Sequence, residues 1–331
     1  MPVQIIAEIG INHNADLDLA IAMIREAAKS GADVIKFQTA VPELVQTKNA
    51  PMAEYQVKNT GKKVSQLEMS RNFHFPLEVF SFLKSEVESY NKIFMSTAFD
   101  LKSLDFLTGL GEEYFKIPSG ELTNLPYLRE IGSRAKKVLM STGMASWNEV
   151  QDALKVLLDC GLHKEQITIL QCNTEYPTPV KDVNLNAMLT IQKEFAVAVG
   201  YSDHTLGIEV DIAAVAMGAS IIEKHFTLDN AMEGPDHKAS LEPEELKAMV
   251  SAIRNIEKAL GSNEKILSPS EEVNINIVRK SIVASCPIRK GELLSEKNIS
   301  TKRPGTGISP MKWDEIIGVV ATKDYQADET I

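Results

Sequence analysis

Short apolar runs alternate eight times with longer amphipathic stretches along this chain of 331 residues, and the alternation limits the folds that it can adopt. In residues 17–29, for example, Leu19, Ala20 and Met23 begin an apolar stripe with helical spacing. Apolar runs separated by such helices are typical of a parallel sheet covered by helices. The runs predicted to form strands are 4–9, 34–38, 93–98, 114–118, 137–141, 167–172, 196–201 and 220–226.

The number of these units favours a (β/α)8 TIM barrel in the α/β class. Eight strand–helix units over about 260 residues match the usual size of that fold. An open, doubly wound sheet has the same alternation, so the choice depends on where the polar residues fall. Glycines that follow the helical stretches are predicted to cap helix C-termini. They are Gly31, Gly132, Gly161 and Gly218.

The composition changes after the last predicted barrel helix, residues 241–260. A polar stretch follows it, and short β-rich pieces joined by turns then continue to the end of the chain. We therefore predict a catalytic barrel over 1–265, a linker over 266–280 and a small β-rich domain over 281–331.

The charge and the cysteines narrow the class of protein. Lys and Arg number 35 against 45 Asp and Glu, a net charge of −10, which argues against a nucleic-acid partner. The three cysteines form no CxxC pair, and no window approaches the roughly 20 apolar residues of a membrane helix. We expect a cytoplasmic protein that binds neither nucleic acid nor membrane.

Polar side chains stand near the end of every predicted strand, where a barrel of this kind carries its active site. The lysines and hydroxyls among them suit the oxygens of phosphate and carboxylate groups. They are Lys36, Thr97, Lys116, Ser119, Ser141 and Ser202. Lys36 and Lys116 could also form buried ion pairs with Glu8 or Glu223, and the two interpretations are compatible.

Two histidines, His204 and His225, fall at the same depth on neighbouring predicted strands. Strands in a sheet lie about 4.8 Å apart, so both imidazoles can reach one cation. No zinc motif accompanies them, and two histidines with open positions suit a six-coordinate ion such as Mn²⁺. The alternative is that each histidine is held by hydrogen bonds alone. Asp236 and His237, in the loop after the eighth strand, could close over this site.

Several motifs of the chain, taken in order, resemble those of the sialic acid synthase family, the N-acetylneuraminate synthases that make nonulosonic acids. The matching segments are AEIGINHNAD, GADVIKFQT, STAFD, KIPSGE, STGM, EYPTP, GYSDHTLG, EKHFT and GPDHKASL, and KRPGTGISP marks a C-terminal SAF (antifreeze-like, β-clip) domain. The resemblance covers essentially all 331 residues.

The resemblance implies a transferase that condenses phosphoenolpyruvate with an N-acyl-mannosamine-type sugar and water, releasing phosphate by cleavage of a C–O bond. The residues that it implies for phosphoenolpyruvate are Lys36, Thr97, Lys116, Ser119, Ser141, Asn173, Ser202, Arg279 and Lys280. This chain reads CNTEYPTP where some members read CTNIYPTP, so Thr174 could replace Asn173 in that role.

The resemblance also implies the remaining roles. His204 and His225 hold a divalent metal, Mn²⁺ first with Mg²⁺ or Co²⁺ as alternatives. The residues implied for the sugar are Glu8, Gln38, Tyr176, Asp236 and Arg303, and those implied for catalysis are Glu8, Lys36, Lys116 and Asp236. Arg303 of one subunit enters the partner's barrel, which implies a domain-swapped homodimer.

Three alternatives stay open. N-acetylmannosamine, the acceptor we predict, gives sialic acid, whereas 2,4-diacetamido-2,4,6-trideoxymannose gives legionaminic acid. A Schiff-base aldolase would use Lys36, Lys116 or Lys224 as its amine. A binding module with a vestigial barrel would need none of the residues at the strand ends.

Overall fold

Eight parallel strands form a single sheet in which the first strand, β1, pairs with the last, β8. This computed structural model describes residues 2–331. The strands are β1 (Gln4–Gly10), β2 (Val34–Thr39), β3 (Ile93–Ala98), β4 (Tyr114–Ile117), β5 (Lys137–Ser141), β6 (Ile167–Cys172), β7 (Ala198–Asp203) and β8 (Ile221–His225). The order is β3-β2-β1-β8-β7-β6-β5-β4, and contact between β3 and β4 completes the ring. The predicted (β/α)8 barrel is confirmed.

Helices alternate with these strands, as predicted. They are α1 (Leu17–Ser30), α2 (Pro42–Val45), α3 (Glu54–Thr60), α4 (Gln66–Phe73), α5 (Val79–Ser89), α6 (Leu101–Gly109), α7 (Leu125–Arg134), α8 (Trp147–Asp159), α9 (Asn186–Phe195), α10 (Glu209–Ala216) and α11 (Pro243–Leu260). The segment between β2 and β3, residues 40–92, carries four of them and is the longest connection in the barrel. We call it the β2–β3 excursion.

Most of the buried apolar side chains lie between the strands and these helices. A second, smaller apolar cluster is contributed by one residue from each of six strands. Its members are Ile6, Val34, Met95, Leu139, Leu170 and Ile221. Side chains of alternate residues share one face of a strand, so this cluster fixes which residues lie directly above it.

Two details of the sequence prediction are wrong. Gly132 lies inside α7 and is not a cap; a Cβ there would approach the Cβ of Cys160 to 2.7 Å, so the glycine permits close helix packing. The seventh strand begins at Ala198, two residues later than predicted, because Ala196 adopts a left-handed conformation (φ 53°) that ends α9. Gly31, Gly161 and Gly218 all have positive φ, as expected at helix ends.

The barrel unit ends at Gly261 and a second compact unit begins at Ser262. The second unit contains α12 (Pro269–Glu272), α13 (Ile275–Val278), β9 (Ser281–Ala284), β10 (Ile299–Lys302) and α14 (Trp313–Ile316). β9 and β10 are antiparallel. A separate apolar core contains Ile282, Ile288, Leu294 and Tyr325. Among the described residues, no helix is both long and apolar enough to span a bilayer.

Candidate active site

A layer of polar side chains lies directly above the apolar cluster inside the barrel. Each of the six apolar residues is followed, two positions later on the same strand, by a buried residue that is polar or a thiol: Glu8, Lys36, Thr97, Ser141, Cys172 and Glu223. On β4, Lys116 follows Tyr114 in the same way, and on β7 Ser202 follows Gly200. The period of two residues places all eight on the inner face, towards the C-terminal ends of the strands.

These residues open into a cavity of about 290 Å³. Two residues predicted for the site do not line the cavity: Asn173, and His237, which is buried with its Nδ1 2.7 Å from Thr227 Oγ1. The walls do include the other barrel residues predicted for the site: Glu8, Lys36, Gln38, Thr97, Lys116, Ser119, Ser141, Tyr176, Ser202, His204, His225 and Asp236. The structure therefore brings residues from distant parts of the sequence to one place. Arg279, Lys280 and Arg303 belong to the second unit, and their roles stay predictions.

The two lysines of the cavity are held by two glutamates. Lys36 Nζ lies 2.7 Å from Glu8 Oε2, and Lys116 Nζ lies 2.8 Å from Glu223 Oε1. Glu223 Oε2 is also 3.6 Å from Lys36 Nζ, so Glu223 links the two cations. The buried ion pairs, which the sequence analysis gave as an alternative to anion binding, are therefore present. Both lysines nevertheless line the cavity.

The electrostatics of this group keep Glu223 and Lys36 charged, whereas burial and the charge of Glu223 raise the pKa of Glu8 above its ordinary value. Burial alone would raise the pKa of Glu223, but Lys116 and Lys36 outweigh it and hold that pKa well below its ordinary value. Burial would likewise lower the pKa of Lys36, yet the charges of Glu223 and Glu8 raise it above the ordinary value. Lys36 is therefore an ammonium at neutral pH, which suits an anion and not the neutral amine of an aldolase.

The two histidines lie side by side, with their ring centroids 5.4 Å apart. Tyr176 stacks on His204 at 3.9 Å and meets His225 edge-on at 5.5 Å. Burial lowers the pKa of His204 to about 4 and that of His225 well below its ordinary value. Both rings are neutral at pH 7, the form in which imidazole binds metal.

The hydrogen bonds of the histidines fit an open metal site. His204 Nδ1 faces the carbonyl of Asn173, an arrangement that leaves Nε2 with its lone pair. His225 Nδ1 is buried and has no hydrogen-bond partner within the described chain. In the part of the chain that the structure describes, no cluster of three or more His, Cys, Asp or Glu could hold a metal by itself. The two histidines would thus leave positions for substrate and water.

Thr174, and not Asn173, lines the cavity. The Asn173 side chain is used within its own loop: Oδ1 accepts a hydrogen bond from the Glu175 N–H at 2.8 Å, and Nδ2 donates to the carbonyl of Asp182. Of the two residues considered for this position, the geometry favours Thr174 as the ligand-facing one.

Two further groups have perturbed acidity because they are buried. Burial and the charge of Glu8 raise the pKa of Asp236 to about 7. Burial raises the pKa of the Cys172 thiol to about 11, so it stays protonated and is a poor nucleophile. The loop carrying Asp236 does reach the cavity, as the sequence suggested.

One wall of the cavity, which the β2–β3 excursion supplies, was not predicted from the sequence. It contributes Val45, Gln46, Tyr55, Gln56, Gln66, Met69, Ser70 and His74. Tyr55 stacks on Tyr176 at 4.9 Å and so joins this wall to the aromatic and histidine group. None of these residues follows a strand directly, so the strand-end rule could not identify them. Glu223 was predicted only as a possible ion-pair partner of the lysines and was not assigned to the site.

Comparison with protein families matches residues 23–265 to the NeuB family and residues 279–331 to the SAF domain. An N,N'-diacetyllegionaminic acid synthase of Campylobacter jejuni subsp. jejuni serotype O:2 is 52% identical over 327 residues, covering 99% of this chain and 98% of the relative. A second protein of that name, from Legionella pneumophila subsp. pneumophila, is 43% identical over 330 residues, covering 99% and 92%.

A solved structure shares the fold and part of the sequence. It is an N-acetylneuraminic acid (sialic acid) synthetase from Leptospira borgpetersenii serovar Hardjo-bovis in complex with citrate. The TM-score is 0.72 at 34% identity, over 83% of this chain and 90% of that one. The sequence motifs, the barrel fold and these comparisons therefore all indicate the same protein family.

Proposed function

Because the chain belongs to the NeuB family of nonulosonic acid synthases, we propose that it condenses phosphoenolpyruvate with 2,4-diacetamido-2,4,6-trideoxymannose and water, giving a legionaminic acid and phosphate. The observation that carries the activity is the cavity in which two buried lysines and a pair of neutral histidines meet. The choice of acceptor is supported by the two relatives at 52% and 43% identity, which carry the legionaminic name. N-acetylmannosamine was the acceptor predicted from the sequence, so this proposal places the diacetamido sugar first instead.

N-acetylmannosamine is the second candidate acceptor. The similarity to the sialic acid synthetase of Leptospira borgpetersenii, at 34% identity, favours it. The two acceptors share the reacting aldehyde end and differ at C4 and C6, so the same catalytic residues serve either.

Lys36 and Lys116 bind the anionic substrate. Phosphoenolpyruvate carries a phosphate and a carboxylate, and a preorganised cationic pocket fixes both groups before reaction. Thr97, Ser119, Ser141 and Ser202 add hydroxyl groups on the same walls. The lysines then exchange part of their contact with Glu8 and Glu223 for contact with the substrate.

His204 and His225 would hold a divalent cation, Mn²⁺ in our proposal. When bound, the cation supplies Lewis acidity towards a carbonyl oxygen. Tyr176, stacked on His204, keeps the ring in position.

The reaction forms one C–C bond and one C–O bond, the latter between C2 and the oxygen of water, and it breaks the C–O bond between C2 and the phosphate oxygen. C3 of phosphoenolpyruvate attacks the aldehyde carbon, and the aldehyde oxygen takes up a proton. C2 becomes cationic and is captured by water, which loses its first proton. The bond between C2 and the phosphate oxygen then breaks as the new hydroxyl passes its proton to the departing phosphate, which leaves a keto acid and inorganic phosphate. Asp236, with a pKa of about 7, can give the proton, and the Glu8 carboxylate can stabilise C2 or accept the proton of water.

Phosphate release from the purified protein tests this proposal. We expect release with phosphoenolpyruvate, Mn²⁺ and the diacetamido sugar, a slower reaction with N-acetylmannosamine and none without a sugar. Borohydride added during turnover should not trap a substrate on the protein. If neither sugar supports phosphate release, or if borohydride traps substrate on a lysine, the proposed condensation is contradicted.

We also propose a domain-swapped homodimer in which Arg303 of one subunit completes the site of the other. Arg303→Ala should then raise the KM for the sugar far more than the KM for phosphoenolpyruvate, because the resemblance places Arg303 on the sugar's N-acetyl group alone. Steady-state kinetics with each substrate varied in turn measure the difference.

Mixing two impaired variants tests the swap itself, with the sugar kept far below the raised KM of Arg303→Ala so that neither variant alone turns over appreciably. A heterodimer of His225→Ala and Arg303→Ala chains would contain one intact site, so random subunit exchange should restore about a quarter of wild-type activity. In the kinetics of Arg303→Ala, equal rises in the KM for the sugar and the KM for phosphoenolpyruvate would contradict a sugar-specific contact. Failure of the mixture to recover, with heterodimers shown to form, would contradict the swap.

A further inference from the structure

One buried cation of the barrel has no part in the proposed reaction. Lys224 stands between Glu223 and His225 on β8; both neighbours line the cavity, whereas Lys224 does not and is fully buried. Successive side chains of a strand point to opposite faces, so Lys224 points away from the cavity, towards the helices that cover the barrel. A buried charge destabilises a fold unless it is paired, so the partners of Lys224 indicate its role.

The partners of Lys224 lie at the end of the neighbouring strand and on the helix that follows it. The ammonium group donates to Asp203 Oδ2, in the last residue of β7, and at 2.7 Å to the carbonyl oxygen of Thr205. Asp203 and Lys224 are also partners in the register of the two strands. Asp211 Oδ2, on α10, lies 3.5 Å from Lys224 Nζ. Lys224 therefore ties the end of β7 to the end of β8.

The turn that Lys224 holds is built around His204. Asp203 Oδ1 accepts a hydrogen bond from the Thr205 N–H at 2.9 Å, and Asp203 Oδ2 accepts one from the Thr205 hydroxyl at 2.8 Å. The residues on either side of His204 are thus bonded to each other, and bonds of this kind fix the conformation of a turn. The carbonyl of His204 itself accepts a hydrogen bond from the Thr178 N–H at 2.8 Å.

This arrangement connects the backbones that carry the two histidines. Lys224 directly precedes His225, and the turn between Asp203 and Thr205 encloses His204. His225 Nδ1 has no hydrogen-bond partner within the described residues, so the position of this ring depends on its backbone and on packing. A metal site needs its ligands held within about 0.5 Å of the productive geometry. The spacing of the two imidazoles therefore depends on how firmly the ends of β7 and β8 are joined.

We propose that Lys224 and Asp203 are positioning residues that set the spacing of His204 and His225 for a divalent cation. The inference rests on the metal site of the proposed function, and it adds two residues that touch neither the cation nor the substrates. Their effect should fall on the affinity for the metal, because both imidazoles stay in place when the tie between the strands is removed.

A pair of substitutions removes this tie without leaving a buried charge. Burial and the charge of Asp203 raise the pKa of Asp211 well above its ordinary value, so Asp211 is protonated and the Lys224 cation is balanced by Asp203. Asp203→Asn with Lys224→Met replaces that ion pair by neutral side chains of similar size, a change that buried pairs often tolerate. Asn keeps an oxygen that can accept the Thr205 N–H, so the turn around His204 is retained.

Equilibrium dialysis of the substrate-free protein against Mn²⁺ tests the assignment. The double variant should bind Mn²⁺ about tenfold more weakly than the wild type, the lower end of the range for groups that orient metal ligands. Asp203→Asn alone should weaken binding about threefold, because a bond from an ammonium to a carboxylate is roughly twice as strong as one to a neutral oxygen. This single variant keeps Lys224, whose charge Asp211 can then balance, and it decides the matter if the double variant does not fold.

Arg254→Met is the matched control. Arg254 also donates to one carboxylate and one backbone carbonyl, those of Asp33 and Val3, each at 2.7 Å, but these residues directly precede β2 and β1 at the opposite end of the barrel. The substitution should lower the melting temperature and leave the affinity for Mn²⁺ unchanged. An equal loss of affinity in Arg254→Met, or wild-type affinity in the folded Asp203 and Lys224 variants, would overturn the assignment.

The wild-type protein separates this inference from the proposed function. A wild type that binds Mn²⁺ but releases no phosphate with either sugar would overturn the proposed reaction, and dialysis of the variants would still decide the role of Lys224 and Asp203. A wild type that binds no Mn²⁺ would overturn the metal site and this inference together. An active wild type whose variants keep its affinity for Mn²⁺ would overturn the positioning role alone.

Discussion

His225→Ala is expected to lower the rate of phosphate release by at least about 10³-fold, the contribution of several kcal/mol that a catalytic metal makes. The substitution removes one of the two adjacent imidazoles in the cavity, and the described residues contain no group of three or more His, Cys, Asp or Glu that could hold a metal without them. The barrel should stay folded, because His225 Nδ1 makes no hydrogen bond within the described residues. Equilibrium dialysis with Mn²⁺ should show a matching loss of metal affinity.

His163→Ala is the control, since His163 is exposed and outside the cavity. It should leave both metal binding and turnover at wild-type values. Wild-type protein treated with a chelator should lose activity and regain it when Mn²⁺ is returned. Full turnover in the chelated protein would contradict a role for the metal in the reaction. Binding of Mn²⁺ by His225→Ala as tight as by the wild type would contradict His225 as its ligand.

The position of the strands and of most site residues could be predicted because one spacing controls both. A residue two positions after a buried apolar residue on a strand faces the same way, so Lys36 had to follow Val34 on the inner face. Strand ends in a barrel meet at one rim, and residues as far apart as Glu8 and Glu223 are brought together by that rule alone. The spacing of residues along each strand was therefore sufficient to predict the strands and the site residues that they carry.

The rest depends on contacts that local pattern does not encode. Gly132 sits where a helix glycine could equally be a cap, and only the neighbouring helix, through Cys160, shows that it is a packing residue. The turn at Asn173 is shaped by hydrogen bonds to Glu175 and Asp182, which decide that Thr174 faces the cavity. The β2–β3 excursion is long and irregular, so no periodicity of the sequence indicates which of its residues, such as Tyr55 and Gln56, line the cavity.

Lys116→Met is expected to lower kcat/KM for phosphoenolpyruvate roughly 10³-fold, since loss of one partner from a buried hydrogen-bonded charge pair costs about 2–5 kcal/mol. Lys116 and Lys36 are the two ammonium groups on the cavity wall, and Lys116 Nζ is 2.8 Å from the glutamate that links them. The kcat/KM for the sugar at saturating phosphoenolpyruvate should change less, because the acceptor binds elsewhere in the cavity. Lys155→Met, which removes an exposed lysine paired with Asp159, should have no effect on either value.

A second substitution separates the chemistry from the fold. Lys116→Met leaves Glu223 buried with only Ser202 and the more distant Lys36, so it should also lower the free energy of unfolding by about 3–5 kcal/mol. Adding Glu223→Met replaces the whole pair by apolar side chains and should recover most of that stability. Activity should stay lost in the double variant, because the anion then meets a wall without its second cation. Thermal unfolding and phosphate release measured on all three proteins decide the matter: recovery of turnover along with stability would show that Lys116 supports the barrel and does not bind the substrate.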